Sequence, residues 1–189
     1  MRQFIYPVLA VLFLLTSCIK PEEVGQGEEL SKEYYDLKGL LNEQQQMLEE
    51  QRPNLQKTTL VGDKEEVVNP EEINWQKELK LFQELDINKP VLLRSYSIDT
   101  VAQEQGQLLQ YEAKNDDLKV RRLEVQLDEE GKAVKVRGAV REENPIYLSE
   151  RELQIEVEEG KIVRYSLKGF QKVTTQDTTT YQMEATLSW

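Results

Sequence analysis

The stretch Lys119–Val140, KVRRLEVQLDEEGKAVKVRGAV, decides the fold. Leu123, Val125 and Leu127 alternate with charged or amide side chains. Beyond an acidic turn, Val134, Val136, Gly138 and Val140 alternate in the same way. A period of two over this length describes a strand with one buried face. If Glu130-Gly131 sits at the centre of the turn, Leu127 falls opposite Val134, Val125 opposite Val136 and Leu123 opposite Gly138. Every apolar residue then lies on one side of the hairpin, and Glu124 meets Arg137 on the other.

The same reading extends in both directions from this hairpin. Seven strands are expected after Pro90, at about 91–101, 107–114, 119–128, 133–141, 146–157, 161–173 and 178–189, joined by short acidic or glycine-containing turns. At Glu158-Glu159-Gly160 the parity calls for a three-residue turn with Gly160 left-handed, which pairs Ile155 with Val163 and Leu153 with Tyr165. The alternation slips at Ser149-Glu150 and at Gly169-Phe170, where a bulge or bend would curl the sheet. The last strand alternates cleanly, with Tyr181, Met183, Ala185, Leu187 and Trp189 on one face.

Before Pro90 the period is helical. Leu30, Tyr34, Leu37, Leu41, Gln44 and Leu48 follow steps of four and three, so a helix is expected from Glu28 to Gln51, ended by Arg52-Pro53. A polar linker is expected up to Asn69. There Asn69 can cap a second helix, Pro70 suits its first position, and Ile73, Gln76, Leu79, Phe82 and Leu85 recur along it with Trp75 on the flank. The expected fold is therefore α+β: two N-terminal amphipathic helices covering the apolar face of an antiparallel meander of about seven strands, with a half-barrel as the curled variant. The expected divisions are a leader at 1–17, a tether at 18–27, a helical segment at 28–90 and a sheet at 91–189.

Composition narrows the chemistry. The 189 residues carry 35 acids against 24 bases, a formal charge of −11, with one cysteine and no histidine. This acidic balance argues against a nucleic-acid partner. Without histidine there is no serine- or cysteine-histidine nucleophile and no histidine-ligated zinc. Without a second cysteine there is no internal disulfide. The sequence contains no D-x-D-x-D-G calcium loop, phosphate-cradling glycine loop or nucleophile elbow. No cofactor, metal site or catalytic residue is expected.

The lone cysteine has a distinctive setting. Arg2 precedes an apolar run from Phe4 to Leu15, of signal-peptide length and too short to span a bilayer. Leu15-Thr16-Ser17-Cys18 then resembles the lipobox of bacterial lipoproteins. The resemblance implies cleavage before Cys18, lipidation of its sulfur and attachment to the membrane through the acylated Cys18. Ile19-Lys20-Pro21-Glu22-Glu23, a base followed by two acids, resembles the surface-export signal of Bacteroidota lipoproteins, with Pro21 interrupting the usual lysine-acid pattern. The implied address is the outer membrane, lipid-anchored, facing either the periplasm or the cell surface. Trp189 at the end of an alternating strand resembles the terminal signal of outer-membrane barrels, but the lipobox and the amphipathic helices favour a soluble terminal strand.

Two functions follow from these expectations. The first is a non-enzymatic binding or assembly module whose partner is another envelope protein or a glycan. The second is a carrier of an apolar ligand held between helices and curled sheet, resembling lipoprotein-carrier or lipocalin-like half-barrels in architecture. A carboxylate-based hydrolase is a distant third. Interdigitation of Leu37, Leu41, Phe82, Val125, Val136, Ile155 and Tyr165 would favour the first over the second. Arg122, Lys135, Arg137, Arg141, Arg164 and Lys168 should face solvent, neutralised across strands by acids.

Overall fold

The computed structural model describes residues 33–189. The leader, Cys18 and the tether lie outside the described residues. The architecture is one antiparallel sheet of nine strands with a small helical layer, and its elements are α1 (Leu37–Gln51), β1 (Asn54–Val61), β2 (Lys64–Val68), α2 (Trp75–Leu79) and β3 (Tyr96–Ala102), followed by β4 (Gln107–Ala113), β5 (Val120–Leu127), β6 (Ala133–Asn144), β7 (Tyr147–Glu158), β8 (Lys161–Val173) and β9 (Thr179–Ser188). The spatial order is β2-β1-β9-β8-β7-β6-β5-β4-β3. Strands β3 to β9 form the expected meander. The sheet ends at β2 and β3 without closing.

The segment before Pro90 departs from expectation. In place of the polar linker it forms the β1–β2 hairpin, with Val61 opposite Lys64 and Gly62 at a φ of 58° opening a two-residue turn. β1 then pairs along its length with β9, from Asn54 opposite Ser188 to Val61 opposite Tyr181. Two helices packed side by side on the sheet are not what this segment provides. Helix α1 begins at Leu37, where Asp36 accepts the Gly39 N–H at 3.0 Å. Tyr34 precedes the helix and packs edge-on against Tyr96 and Tyr111. The second expected helix shrinks to the five residues of α2 and a 3-10 turn at Phe82–Leu85. Its cap is Asn74, which accepts the Lys77 N–H at 2.9 Å, and not Asn69.

The central register agrees with expectation: Val125 faces Val136, Leu123 faces Gly138 and Glu124 faces Arg137. At the turn itself Leu127 pairs with Ala133, so Val134 becomes the extra residue of a bulge. The β7–β8 turn differs similarly. Glu159 (φ 50°) and Gly160 (φ 75°) form a two-residue turn in which both φ values are positive, as a type I′ hairpin requires. The shift at Glu156/Val157 leaves Val163 unpaired and brings Ile155 opposite Tyr165 and Leu153 opposite Leu167. A third irregularity lies between Val120 and Arg122.

No shift occurs at Ser149-Glu150 or Gly169-Phe170. Both pairs stay in register because Leu148 and Phe170 are apolar residues on the solvent side, while Ser149 and Gly169 keep the core-side positions. The core is continuous. Leu37, Leu41, Phe82, Val125, Val136, Ile155 and Tyr165 are each at most 1% exposed and belong to one cluster. Leu85 fits against Gly138 so closely that a Cβ there would lie 2.2 Å from a leucine methyl.

Gln44, the polar member of the helical stripe, is also buried. It donates to the Gly160 carbonyl at 2.8 Å and accepts the Ile162 N–H at 2.9 Å, which pins α1 to the start of β8. Trp189 lies just past β9, and its indole donates to the Ile162 carbonyl at 2.9 Å while Lys161 sits over its ring. No helix among the described residues is long and apolar enough to cross a membrane.

Candidate functional site

The outward face of the sheet is polar because every second residue of each strand points away from the core. The registers align these residues into rows across the sheet. One row runs Leu60, Gln182, Lys168, Glu152, Ala139 and Arg122 from β1 to β5. Beside it runs a shorter row of Thr180, Phe170, Glu150 and Arg141. Over this area lies a hollow of about 890 Å³, to which the β4–β5 loop contributes Asp116 and the irregularly paired start of β5 contributes Arg121. That volume falls in the range of small-molecule sites, roughly 300–1,000 Å³.

The hollow has two chemical parts. Leu60, Ala139 and Phe170 supply partly exposed apolar surface, and Phe170 places an aromatic ring on an otherwise polar face. Around them the charges are paired. Lys168 bonds Glu152 at 2.8 Å, Arg141 bonds Glu143 at 2.7 Å and also Glu150, and Arg121 bonds Asp116. The Lys168 hydrogen bond, outweighing partial burial, holds the Glu152 carboxyl below its ordinary range. The hydrogen bond that Arg141 donates to Glu143 does most to raise the already high Arg141. Four acids and four bases, Arg151 included, line the hollow.

The rest of the face follows the same logic. Lys135 meets Glu156 at 3.0 Å, Arg164 meets Glu184 at 3.6 Å, and Arg137 and Arg122 each approach Glu124 to 3.9 Å. The six bases expected to face solvent do so, five with acidic partners on neighbouring strands and Arg122 with Glu124 of its own strand, and the hollow adds apolar ground to that pattern. Arg151, which also lines the hollow, stems from a core-side position of β7 and is bonded to Glu84 at 2.6 Å with Glu142 at 3.5 Å.

Sequence reasoning named Arg141 and Lys168 as exposed bases but missed Phe170 and Leu60 as their apolar company. The signal was present in the frame slip at Gly169-Phe170, read as a bend rather than as an apolar residue on the polar face. Cys18 lies outside the described residues. Among the described residues no group of three or more acids is placed to hold a metal ion. Neither a protein-family model, nor a curated protein, nor a solved structure matches this chain.

Proposed function

We propose that this chain is an envelope lipoprotein held in the membrane by acylated Cys18, acting as a non-enzymatic binding module whose outer-face hollow takes a neutral glycan. The observation that carries the reading is the pairing of Phe170 with self-neutralised charges. A charged ligand would have to break the Lys168–Glu152 and Arg141–Glu150 pairs. Sugar hydroxyls need not, because a paired carboxylate keeps free lone pairs and a paired guanidinium keeps free N–H groups. The apolar faces of a sugar ring suit Phe170 and Leu60, and Thr180 and Gln182 offer further hydrogen-bonding groups.

The packing supports a binding module over an apolar carrier, since the side chains between the helical layer and the sheet are interdigitated and fully buried. A hydrolase draws less support. Glu152 is held ionised by Lys168, the opposite of the raised carboxyl a general acid needs.

The test uses the lipidated protein in detergent micelles with a panel of neutral and acidic oligosaccharides. Neutral sugars should bind, and Phe170→Ala should weaken them by about tenfold or more, a loss of about 1.4 kcal/mol. Binding indifferent to Phe170→Ala, or restricted to acidic sugars, would sink the glycan reading. The anchor is tested separately. Cys18→Ala should abolish labelled-palmitate incorporation and release the protein from membranes, and continued labelling would defeat it.

A further inference from the structure

A second concavity, of about 900 Å³, lies where α1 runs beside the β5–β6 and β7–β8 turns. Helix α1 buries Leu37, Leu41, Gln44 and Leu48 in the core, but a neighbouring stripe also carries apolar side chains. Leu40 and Met47, two turns apart, remain only partly buried, and with Val134 and Val157 they give the groove an apolar floor. Its rim is acidic, with Glu43 from the helix, Asp128, Glu129 and Glu130 from one turn, and Glu159 from the other. Among the described residues Lys132 is the one base lining it, and it is taken by Glu130 at 2.7 Å.

The contrast with the polar sheet face identifies the occupant. There Glu124, Glu152, Glu156 and Glu184 each lie within 4 Å of a base. Along the groove, Glu43, Glu129 and Glu159 form no ion pair among the described residues. Glu43 is also the largest charge contribution to raising Tyr35, which lines the same groove and is pushed up to about 12 mainly by burial. Acids beside exposed apolar side chains complement a surface that is apolar on one side and cationic at its edges. Two other occupants carry the wrong charge. The tether bears Glu22 and Glu23 against a single Lys20, and a second copy of the chain carries a net −11.

We infer that this groove docks a lysine- or arginine-edged amphipathic helix of another protein, laid alongside α1 with its apolar side on Leu40 and Met47. Helix-in-groove recognition of this kind draws affinity from the apolar anchors and selects its partner through the rim charges. The inference uses a different surface from the glycan hollow and stands or falls independently of it.

The test uses a fluorescein-labelled amphipathic peptide of lysine and leucine at helical spacing, its glutamate-for-lysine counterpart and a scrambled lysine-leucine control, with the full lipidated chain in neutral detergent. Fluorescence anisotropy should report saturable binding of the lysine-leucine helix alone, weakened by about 0.5 M salt. The combined variant E43Q/E129Q/E159Q and the floor variant L40S/M47S should each weaken it by about tenfold. Phe170→Ala should leave it unchanged. Equal binding by the acidic or scrambled peptide, binding untouched by both variants, or no saturable binding would each overturn the inference. So would sedimentation showing that a second copy of the chain fills the groove. The three rim residues are exposed, so their variant retains the fold even where the floor variant does not.

Discussion

Gly138 and Leu85 show how much of the packing turns on a single missing side chain. Gly138 occupies a core-side position in β6, and the leucine from the 3-10 turn fills the space a side chain would take. Gly138→Ala should therefore destabilise the domain by about 1–3 kcal/mol, as overpacking in a close-packed core does. Urea unfolding would measure it, and the double variant with Leu85→Ala should show clear non-additivity because the two side chains compete for one space. A loss below about 0.5 kcal/mol would mean the leucine simply moves aside. The alternation in β6 marks Gly138 as core-facing from sequence alone. Which residue enters its space is not legible, because Leu85 reaches it through the irregular turn after α2. Phe170 behaves likewise: its outward placement follows from register, and register accumulates bulges that period-two reading does not count.

Among the elements, the strands of the meander are legible in the sequence, and the β1–β2 hairpin and most of the helical layer are not. β3 to β9 form their own alternating pattern, and their hairpins are closed by local turn chemistry, so each could be read without its neighbours. β1 and β2 carry no such signal because Lys57, bonded to Glu78 of α2, and Thr59 and Glu66 occupy core-side positions, so the period-two contrast of polarity vanishes. The second helix was misread for the opposite reason: Ile73 to Leu85 has an adequate period, but the chain leaves the helix after Leu79 to send Phe82 and Leu85 into the sheet. Gln44, a defect in the helical stripe by sequence, is the connection between α1 and β8. Gln44→Leu should cost about 1–3 kcal/mol, since the buried Ile162 N–H loses its acceptor. Hydrogen exchange should locate the damage, with Ile162 losing protection while the β5–β6 pairing keeps its own. Uniform loss across the sheet would show instead that α1 and the sheet unfold as one unit.

For the whole molecule, the buried tyrosines set an alkaline limit. Burial pushes Tyr96 and Tyr35 up to about 12 and raises Tyr111 and Tyr165 as well, with Glu78 adding to the effect at Tyr165. Phenols ionise near 10 in the unfolded chain. Their contribution to stability is complete below pH 10 and falls as pH rises from about 10 towards 12, because over that interval the unfolded state loses the protons that the folded state retains. The absorbance of these four tyrosines as tyrosinate should therefore rise only well above pH 10, together with loss of the circular dichroism signal. A single step near 10 with the fold intact would contradict this burial. The pairing of β1 with β9 has a different consequence, in the timing of assembly. Asn54 waits for Ser188, so most of the chain must be synthesised before the first strand has its permanent neighbour. Until then the β1–β2 hairpin is marginal on its own, as two-stranded units are, and β8 presents an open edge. Such long-range closure slows folding, and it leaves the facing edges of β1 and β8 open until β9 is in place between them.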